Sequence, residues 1–345
     1  MEAGPDIAVV IGAWDRRAYL GAAVDSVLRQ TLPRDRFEIV VTKNFSDPEL
    51  ESRLAAERVV ALRDDDRRIG RWLLRAVGAT RAPLVAFLDD DDAFEPDRLA
   101  RVVDAFAAHP EVVLYRNRVR VIDGAGADVP PDRWRGHEVD AALDGPALRL
   151  LGAGTEAARL DLGFRTAHAS FNSSTMVVRR ELLSGAGADR FRAAQLPDSA
   201  LYLLAALGPG AIALDPARRT RFRFYDLNVT HRVAWLADAA RDYRRFGEFA
   251  AATGHPGFAS WLAAEGDHFD RMYRGGRIVE SVDHVAPRRE VAALSADYLR
   301  YLAVHPRERA FTLDVWGAAG YGAGYLVAPG LARRVLRARP TAPRR

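Results

Sequence analysis

The centre of the predicted fold is the segment Leu84-Val85-Ala86-Phe87-Leu88-Asp89-Asp90-Asp91-Asp92. Its first five residues form an apolar run with the length of a strand buried on both faces. Its last four are carboxylates, which repel one another and stay together only when they are solvated or meet a cation. Ligands bind outside the carboxyl ends of strands in open α/β sheets. The segment therefore predicts either a solvated acidic loop or a site where Mg²⁺ or Mn²⁺ joins carboxylates to a substrate phosphate.

The sequence on both sides of this segment alternates between strand and helix patterns. We predict strands at 7–11, 37–41, 59–62, 84–88, 112–115, 119–122, 175–178, 212–214 and 221–224. We predict helices at 19–30, after 47, and at 71–80, 95–109, 181–183 and 198–207. Loops with short helices are expected over 123–162, and mostly helix over 233–304. Strands that alternate with helices at this spacing imply right-handed crossovers and a largely parallel sheet.

The composition is that of an ordinary globular chain, with 345 residues, 49% hydrophobic residues and a formal charge of +4. It contains no cysteine, which excludes disulfides, thiolate zinc sites and cysteine nucleophiles. Lys43 is the only lysine, so arginine supplies nearly all of the positive charge. The arginines are scattered and accompany no recognition motif, so we predict no nucleic-acid partner.

The amino terminus is short and acidic, which is not typical of a signal peptide. We find no segment hydrophobic enough to predict a transmembrane helix, and we expect a cytoplasmic protein. The change to a mostly helical pattern places a domain boundary near Thr230. We therefore predict a first domain at 1–230, a helical subdomain at 231–310 and a terminal segment at 311–345.

Several short segments occur together in a fixed order along the first two thirds of the chain. They are Ala8-Val9-Val10-Ile11, Ser26-Val27-Leu28-Arg29-Gln30-Thr31, Gly70 with Arg75, Phe87 to Asp92, Pro96-Asp97-Arg98-Leu99, Ser174 to Arg180, Pro197-Asp198, and Phe222 to Tyr225 with Asn228. In this order the chain resembles the family 2 glycosyltransferases, inverting enzymes with the GT-A fold. The resemblance implies an α/β GT-A fold that binds a nucleotide sugar on a mostly parallel central sheet, followed by a mainly helical region.

The resemblance also implies a reaction and a set of donor-binding residues. An acceptor hydroxyl on a glycan or a lipid-linked molecule would displace the phosphate leaving group of a nucleotide-sugar or lipid-phosphate-sugar donor, with inversion. Asp89-Asp90-Asp91 looks like the family's DXD motif, in which Asp91 would hold Mn²⁺ or Mg²⁺ against the diphosphate. Asp89 would face the ribose or the water shell of the metal. Asp90 and Ile11 are further donor-binding candidates, and the role of Asp92 stays open.

Two more residues take roles from the resemblance, and each has an ordinary structural interpretation. Asp198 stands where the family has its general base, which would take the proton of the acceptor hydroxyl. Aspartate before a helix is also a common N-cap. Arg75 stands where the family has an arginine that binds the donor's phosphates, and a guanidinium suits that task. The alternative is a helix residue that faces solvent.

The chain departs from the family pattern at two places. After the second predicted strand the family often has an aspartate that reads the nucleotide base, whereas this chain has Lys43-Asn44. Asn44 is our donor-binding candidate there, because its amide can hydrogen-bond a base edge. Tyr225 stands where many relatives have histidine, which makes metal ligation at that position less favourable. These changes leave a rival function open, a non-catalytic sugar-nucleotide or glycan-binding protein on the same fold. A nucleotidyltransferase is less favoured, since the chain lacks a glycine-rich phosphate loop.

The carboxyl end contains an uncharged stretch followed by arginines. Residues 315–331 include Trp316, Tyr321 and Tyr325 and carry no charge; Arg333, Arg334, Arg337 and Arg339 follow. Aromatic and apolar residues beside a basic cluster are typical of a segment that lies on a membrane surface. A helix packed on the core with a basic tail is the alternative. A peripheral membrane contact through 315–339, at the inner face of the membrane, is therefore one of the two predictions for this end of the chain.

Overall fold

The computed structural model describes residues 4–130, 133, 143–152, 154–225, 233–305, 312–329 and 332. The chain divides into two compact units, Met1–Tyr225 and Asp226–Arg345. The predicted boundary at Thr230, the position of Asn228 and most of the basic tail lie outside the described residues.

The first unit contains one sheet, whose described strands follow the order β3-β2-β1-β4-β8-β6-β9-β5, with β7 also paired to β9. The strands are β1 (Ile7–Ala13), β2 (Phe37–Lys43), β3 (Val60–Arg63), β4 (Leu84–Asp89), β5 (Ala93–Phe94), β6 (Val112–Ile122), β7 (Arg149–Leu151), β8 (Met176–Arg179) and β9 (Ala211–Arg223). The half from β3 to β4 is entirely parallel. In the other half β8 is antiparallel to both β4 and β6, while β6 and β9 are parallel.

Helices connect the strands of the first unit and make up the described part of the second. They are α1 (Leu20–Leu28), α2 (Pro48–Ala56), α3 (Ile69–Gly78), α4 (Arg98–Ala108), α5 (Glu156–Leu160), α6 (Gly185–Arg192), α7 (Pro197–Leu207), α8 (Val233–Ala252), α9 (Pro256–Asp283), α10 (Arg288–Val304) and α11 (Thr312–Val327). The predicted α/β fold with a helical carboxyl-terminal region is confirmed.

The core explains why β1 lies at the centre of the parallel half. Alternate residues of this strand, Ile7, Val9 and Ile11, are fully buried and belong to the cluster that also contains Leu20 and Val24 of α1. Burying an aliphatic side chain of this size contributes ~1.5–3 kcal/mol. The side chain of Ile11, a predicted donor-binding residue, therefore has a clear packing role in this core.

The sequence-based boundaries were wrong for two strands. We predicted two strands at 112–115 and 119–122, but β6 is continuous from Val112 to Ile122. The polar residues Asn117 and Arg118 in its middle are buried inside the sheet, where the Asn117 amide accepts from Arg98 and donates to Thr220. The partner strand β9 is likewise continuous from Ala211 to Arg223. Buried polar residues thus broke the apolar pattern without breaking the strand.

The predicted loop over 123–162 also needs a correction. Residues Arg149–Leu151 form β7, which pairs antiparallel with β9. This strand is only three residues long and partly exposed, so it has no apolar run that a sequence pattern could detect. It extends the sheet at β9.

Strand register brings three loops to one edge of the sheet. Gly12 near the end of β1 pairs with Asp89 at the end of β4, so the loop after β1 lies beside the acidic run. β8 is antiparallel to β4, with Val177 opposite Ala86, so the turn before β8 reaches the same edge. Gly12 is needed here because a Cβ atom would come within 2.5 Å of the Trp72 ring.

The helices of the second unit pack closely through small residues. Gly266 of α9 lies against α8, where an added Cβ would stand 2.8 Å from Cγ of Arg244 and 3.0 Å from the carbonyl oxygen of Ala240. Among the described residues no helix is long and apolar enough to cross a membrane. The backbone of 315–327 is helical, but the side chains of 311–317 and all of 333–345 lie outside the described part, including the basic half of the predicted membrane segment.

Candidate active site

The four aspartates at the end of β4, Asp89 to Asp92, do not form a solvated loop. Asp90, Asp91 and Asp92 are 1%, 5% and 2% exposed, and only Asp89 is open to solvent. One carboxylate oxygen from each of Asp89, Asp91 and Asp92 lies within 4.8 Å of the others. Three oxygen ligands at this spacing suit a hard cation such as Mg²⁺ or Mn²⁺. The two predicted metal ligands, Asp89 and Asp91, thus lie together, and Asp92 joins them.

Burial and crowding raise the pKa values of Asp89, Asp90 and Asp92, because both effects disfavour the charged form. Burial and then repulsion from Asp91 and Asp89 raise the pKa of Asp92 well above its usual range, although hydrogen bonds oppose the shift. Desolvation and the charge of Asp91 raise the pKa of Asp89 to about 7. Asp89 is solvent-accessible, so water screens part of that effect. A bound cation would remove the repulsion that these shifts reflect.

Arg16 supplies the positive charge that contacts the acidic run. Its Nη2 forms an ion pair with Asp90 Oδ1, and its Nη1 with Asp91 Oδ2. Its Nε also lies 3.3 Å from Asp90 Oδ2, so the guanidinium contacts the Asp90 carboxylate in a bidentate way. Tyr225 completes the group, because its hydroxyl donates to Asp91 Oδ2 at 3.0 Å and accepts from Arg16 Nη1 at 3.1 Å. Tyr225 thus contacts the predicted metal ligand by a hydrogen bond, at the position where the family resemblance implies histidine.

The turn before β8 joins the acidic run to Asp198. The backbone N–H of Asn172 donates to Asp198 Oδ2 at 3.0 Å, and its side-chain Nδ2 donates to Asp92 Oδ2 at 3.0 Å. Its Oδ1 accepts from the Ser174 backbone at 2.7 Å. Asn172 has φ +68°, a conformation that asparagine tolerates better than most residues. This residue therefore ties two carboxylates that are 106 positions apart in the sequence.

The same turn also holds Asp89. Its backbone N–H donates to Ser174 Oγ at 3.0 Å, and Ser173 Oγ donates to its carboxylate at 3.2 Å. Both serines are buried. Their hydrogen bonds orient the acidic run.

Asp198 lies in the first turn of α7 but not at its N-cap, which is Leu196. The helix begins at Pro197, so Asp198 occupies the second helical position. Its Oδ1 accepts from the Ser199 N–H at 2.8 Å, and Oδ2 accepts from Asn172. Burial raises the pKa of Asp198 above its ordinary value, although these backbone hydrogen bonds oppose the shift. A carboxylate that is fixed in position and made more basic suits proton abstraction.

The other predicted donor-binding residues make different contacts. Arg75 is 61% exposed at its side chain and forms an ion pair of 2.7 Å with Asp64, and it contacts none of the four aspartates in the described part of the chain. Asn44 makes two reciprocal hydrogen bonds with Asp15, accepting from its N–H at 2.8 Å and donating to its carboxylate at 2.7 Å. Asn44 therefore holds the loop that carries Arg16, while its donor-binding role stays a prediction.

Sequence reasoning missed Arg16 and Asn172, since neither stands in a recognisable motif. Arg16 follows the end of β1, and its contacts depend on β1 lying next to β4. An asparagine before Ser173-Ser174 and a strand could have indicated a turn with positive φ, but not what the turn binds. Both residues acquire a role only once the strand order is known.

Comparison with known proteins adds a family and a fold. Residues 8–176 match the family described as glycosyl transferase family 2. An uncharacterized glycosyltransferase of Nostoc sp. is 30% identical over 125 residues, and the succinoglycan biosynthesis protein ExoO of Rhizobium meliloti is 31% identical over 126 residues. These matches cover 34% and 35% of this chain. They cover only 38% and 35% of those relatives' own length.

Two solved structures share the fold over almost the whole chain. One is S. aureus TarS 1-349 in complex with UDP-GlcNAc, with 14% identity and a TM-score of 0.59, covering 93% of this chain and 91% of that one. The other is the mannosyltransferase PcManGT from Pyrobaculum calidifontis in complex with GDP-Man and Mn²⁺. It has 15% identity and a TM-score of 0.52, covering 96% and 88%. These structures show the shared fold alone, while the family match and the curated relatives identify residues 8–176 of this chain as a member of glycosyl transferase family 2.

Proposed function

We propose that this protein is an inverting glycosyltransferase that moves a sugar from a nucleotide-diphosphate donor to a hydroxyl group of a glycan or glycolipid. In this proposal Asp198 is the general base, and Asp89 and Asp91 hold a divalent metal ion. The proposal goes beyond family membership, because it names the stereochemistry, the metal and the residues. The observation that carries it is the link through Asn172, which places a carboxylate on α7 beside the acidic end of β4.

The chemistry at Asp198 follows from its hydrogen bonds. Each of its carboxylate oxygens accepts one backbone hydrogen bond and keeps a further lone pair for a substrate hydroxyl. The acceptor oxygen forms a bond to the anomeric carbon while its proton passes to Asp198. The bond between the anomeric carbon and the phosphate oxygen breaks, and the nucleoside diphosphate leaves with the electron pair. Attack from the face opposite the leaving group inverts the anomeric configuration.

The acidic end of β4 suits the other half of this reaction. Asp89 and Asp91 offer the oxygen ligands that Mn²⁺ or Mg²⁺ prefers, and both ions suit sites that also include substrate phosphates. Such an ion, when bound, neutralises charge that grows on the departing phosphate oxygens. Asp92 is held by Asn172 and by the Arg223 N–H at 2.9 Å, so its oxygens are fixed in orientation. The nucleotide-sugar complexes of TarS and PcManGT support this donor class.

The acceptor and the membrane contact belong to the same proposal. The name of the succinoglycan biosynthesis relative supports an acceptor in polysaccharide synthesis. A lipid-linked acceptor would make the proposed peripheral contact through 315–339 useful, since the enzyme would then work beside the membrane. Co-sedimentation of the full chain with vesicles of anionic lipid, but not with vesicles of neutral lipid alone, is the expected result. Equal absence from both pellets would contradict the membrane contact.

Donor turnover with water as acceptor tests the proposal without knowledge of the acceptor. A panel of nucleotide sugars with Mn²⁺ is first examined by thermal shift, because a ligand of the native state raises the melting temperature. Proton NMR then follows the stabilising donors as they hydrolyse. We expect one α-linked donor to release its sugar first as the β-anomer, before mutarotation. Initial release of the α-anomer would contradict inversion.

The same experiment distinguishes the rival function. A donor that stabilises the protein but is never hydrolysed, and never transferred to any glycan offered, would favour the non-catalytic binding protein. The contacts of Lys43 and Asn44 no longer favour that rival, since Lys43 bonds Phe45 and Glu51 nearby in the chain and Asn44 bonds Asp15 in the loop after β1. Hydrolysis that requires Asp198 would exclude it.

A further inference from the structure

Arg16 occupies the place of a cation in the acidic site. Its guanidinium contacts Asp90 with two nitrogens and Asp91 with a third, and its side chain is 22% exposed, whereas those of Asp90 and Asp91 are 2% and 7% exposed. Asp91 Oδ2 thereby accepts from both Arg16 and Tyr225. An oxygen that already accepts two hydrogen bonds has little capacity left for a metal ion.

We propose that Arg16 is an exchangeable counter-ion, which neutralises Asp90 and Asp91 in the metal-free protein and must leave Asp91 before a divalent cation can bind there. A guanidinium and a divalent ion on the same carboxylate would repel each other strongly, because the site is largely buried. The exchange becomes favourable when the donor's diphosphate arrives, since it adds negative charge for both cations. Metal and diphosphate then bind cooperatively, and the metal alone binds weakly.

The structure around Arg16 fits a side chain that can move on a fixed backbone. The preceding residue, Asp15, has φ +54° and is held by two hydrogen bonds to Asn44. The side-chain hydrogen bonds of Arg16, by contrast, go only to Asp90, Asp91 and Tyr225 among the described residues. The guanidinium can therefore turn away from Asp91 without any change in the fold of the loop.

This inference rests on the proposed function only for the place of the metal at Asp91, and metal binding tests it directly. Mn²⁺ affinity is measured without donor by electron paramagnetic resonance of the free ion, in the wild type, Arg16→Gln and Arg16→Lys. We expect Arg16→Gln to bind Mn²⁺ about tenfold more tightly than the wild type, the ratio that corresponds to ~1.4 kcal/mol. Arg16→Lys, which keeps the charge but cannot grip two carboxylates, should fall between them.

A matched control and a second titration separate this role from a general effect of charge. Arg17→Gln removes the neighbouring arginine, whose guanidinium lies over the Phe45 ring, and should leave Mn²⁺ affinity unchanged. Inorganic pyrophosphate, which resembles the donor's diphosphate, should raise the Mn²⁺ affinity of the wild type more than that of Arg16→Gln. Circular dichroism confirms that each variant is folded before titration.

The outcomes distinguish this inference from the proposed function. Equal or weaker Mn²⁺ binding by Arg16→Gln, in a wild type that transfers sugar, would overturn the inference and leave the function intact. Tighter Mn²⁺ binding by Arg16→Gln, in a protein that never turns over a donor, would support the inference and overturn the function. Absence of Mn²⁺ binding in both proteins would overturn the inference as well.

Discussion

The ends of β2 and β4 flank β1 at the same edge of the sheet, and the charged residues at the two ends differ in how fully they are paired. At the end of β2 the buried charge of Lys43 has local partners. The buried Lys43 ammonium donates to the Phe45 carbonyl at 2.6 Å and pairs with Glu51. At the end of β4, three buried aspartates lie together, and Arg16 forms ion pairs with only two of them, Asp90 and Asp91.

This difference indicates where the chemistry takes place. Charges that are balanced within one loop stabilise a structure and leave no reason to bind a further ion. Buried like charges that exceed their partners destabilise the folded state, and active sites commonly retain such arrangements for function. In our proposal the β4 end is therefore the functional one, and the β2 end supports the loop that carries Arg16. Any recognition of the donor's base at β2 must differ from recognition by an aspartate.

The largest expected effect is on catalysis at the functional end. Asp198→Asn keeps the shape of the side chain but cannot take a proton, so the rate of transfer should fall by about 10²–10⁴. The melting temperature should stay close to that of the wild type. Asp189→Asn, on the exposed surface of α6, is the matched control and should keep full activity. An active Asp198→Asn enzyme would remove Asp198 from the role of base.

A smaller loss of activity is expected when the link between the carboxylates is cut. Asn172→Gly keeps the positive φ but removes the hydrogen bonds to Asp92 and from Ser174. We expect kcat to fall about tenfold, the effect of ~1.4 kcal/mol on the barrier, with little change in the KM for donor. Steady-state kinetics at several temperatures below unfolding measures both constants. An unchanged kcat with only a lower melting temperature would reduce Asn172 to a structural role.

The β2 end should show the opposite behaviour, a loss of stability without a loss of chemistry. Lys43→Met leaves the Phe45 carbonyl without its donor, which should lower the free energy of unfolding by ~1–3 kcal/mol. Transfer per folded molecule should remain near the wild-type rate. Arg29→Met, which removes an exposed arginine 3.9 Å from Asp25, serves as control and should change neither property. A hundredfold loss of transfer in Lys43→Met would break the contrast between the two strand ends.

The smallest expected effect is a shift in the pH profile of sugar transfer. Burial raises the pKa of Asp198 above 3.8, and only its ionised form accepts a proton. Transfer should therefore fall as the pH is lowered through this raised pKa, above pH ~4. The stability contribution runs in the opposite direction, since a raised pKa in the folded state stabilises below the unfolded pKa and that effect is lost as pH rises through the folded pKa. A pH profile of kcat/KM that stays flat down to pH ~4 would contradict the raised value.

Part of this arrangement could be predicted from the sequence. The apolar run before Asp89 located a buried strand, and the alternation of patterns gave the parallel half of the sheet. The place of Asp198 followed from the family resemblance. These features depend on local patterns or on motif order, which a single sequence contains.

The remaining features depend on contacts between distant segments. Arg16 reaches the acidic run only because β1 pairs with β4, and Asn172 reaches it because β8 runs antiparallel to β4. The continuity of β6 was missed because Asn117 is satisfied by partners on α4 and β9. No periodicity in the sequence encodes such pairings. The sequence could therefore predict where the site lies, but not which distant residues contact the acidic run.

Donor turnover in Mn²⁺ and in EDTA, measured for the wild type and Asp91→Asn, decides whether the acidic end of β4 holds a catalytic metal. We expect the wild type to lose turnover in EDTA and to regain it when Mn²⁺ is restored. Asp91→Asn should be inactive in both conditions, while its melting temperature is no lower than that of the wild type, since one of several crowded charges is gone. Full turnover by the wild type in EDTA, or by Asp91→Asn in either condition, would contradict the claim that the acidic end of β4 holds a catalytic metal.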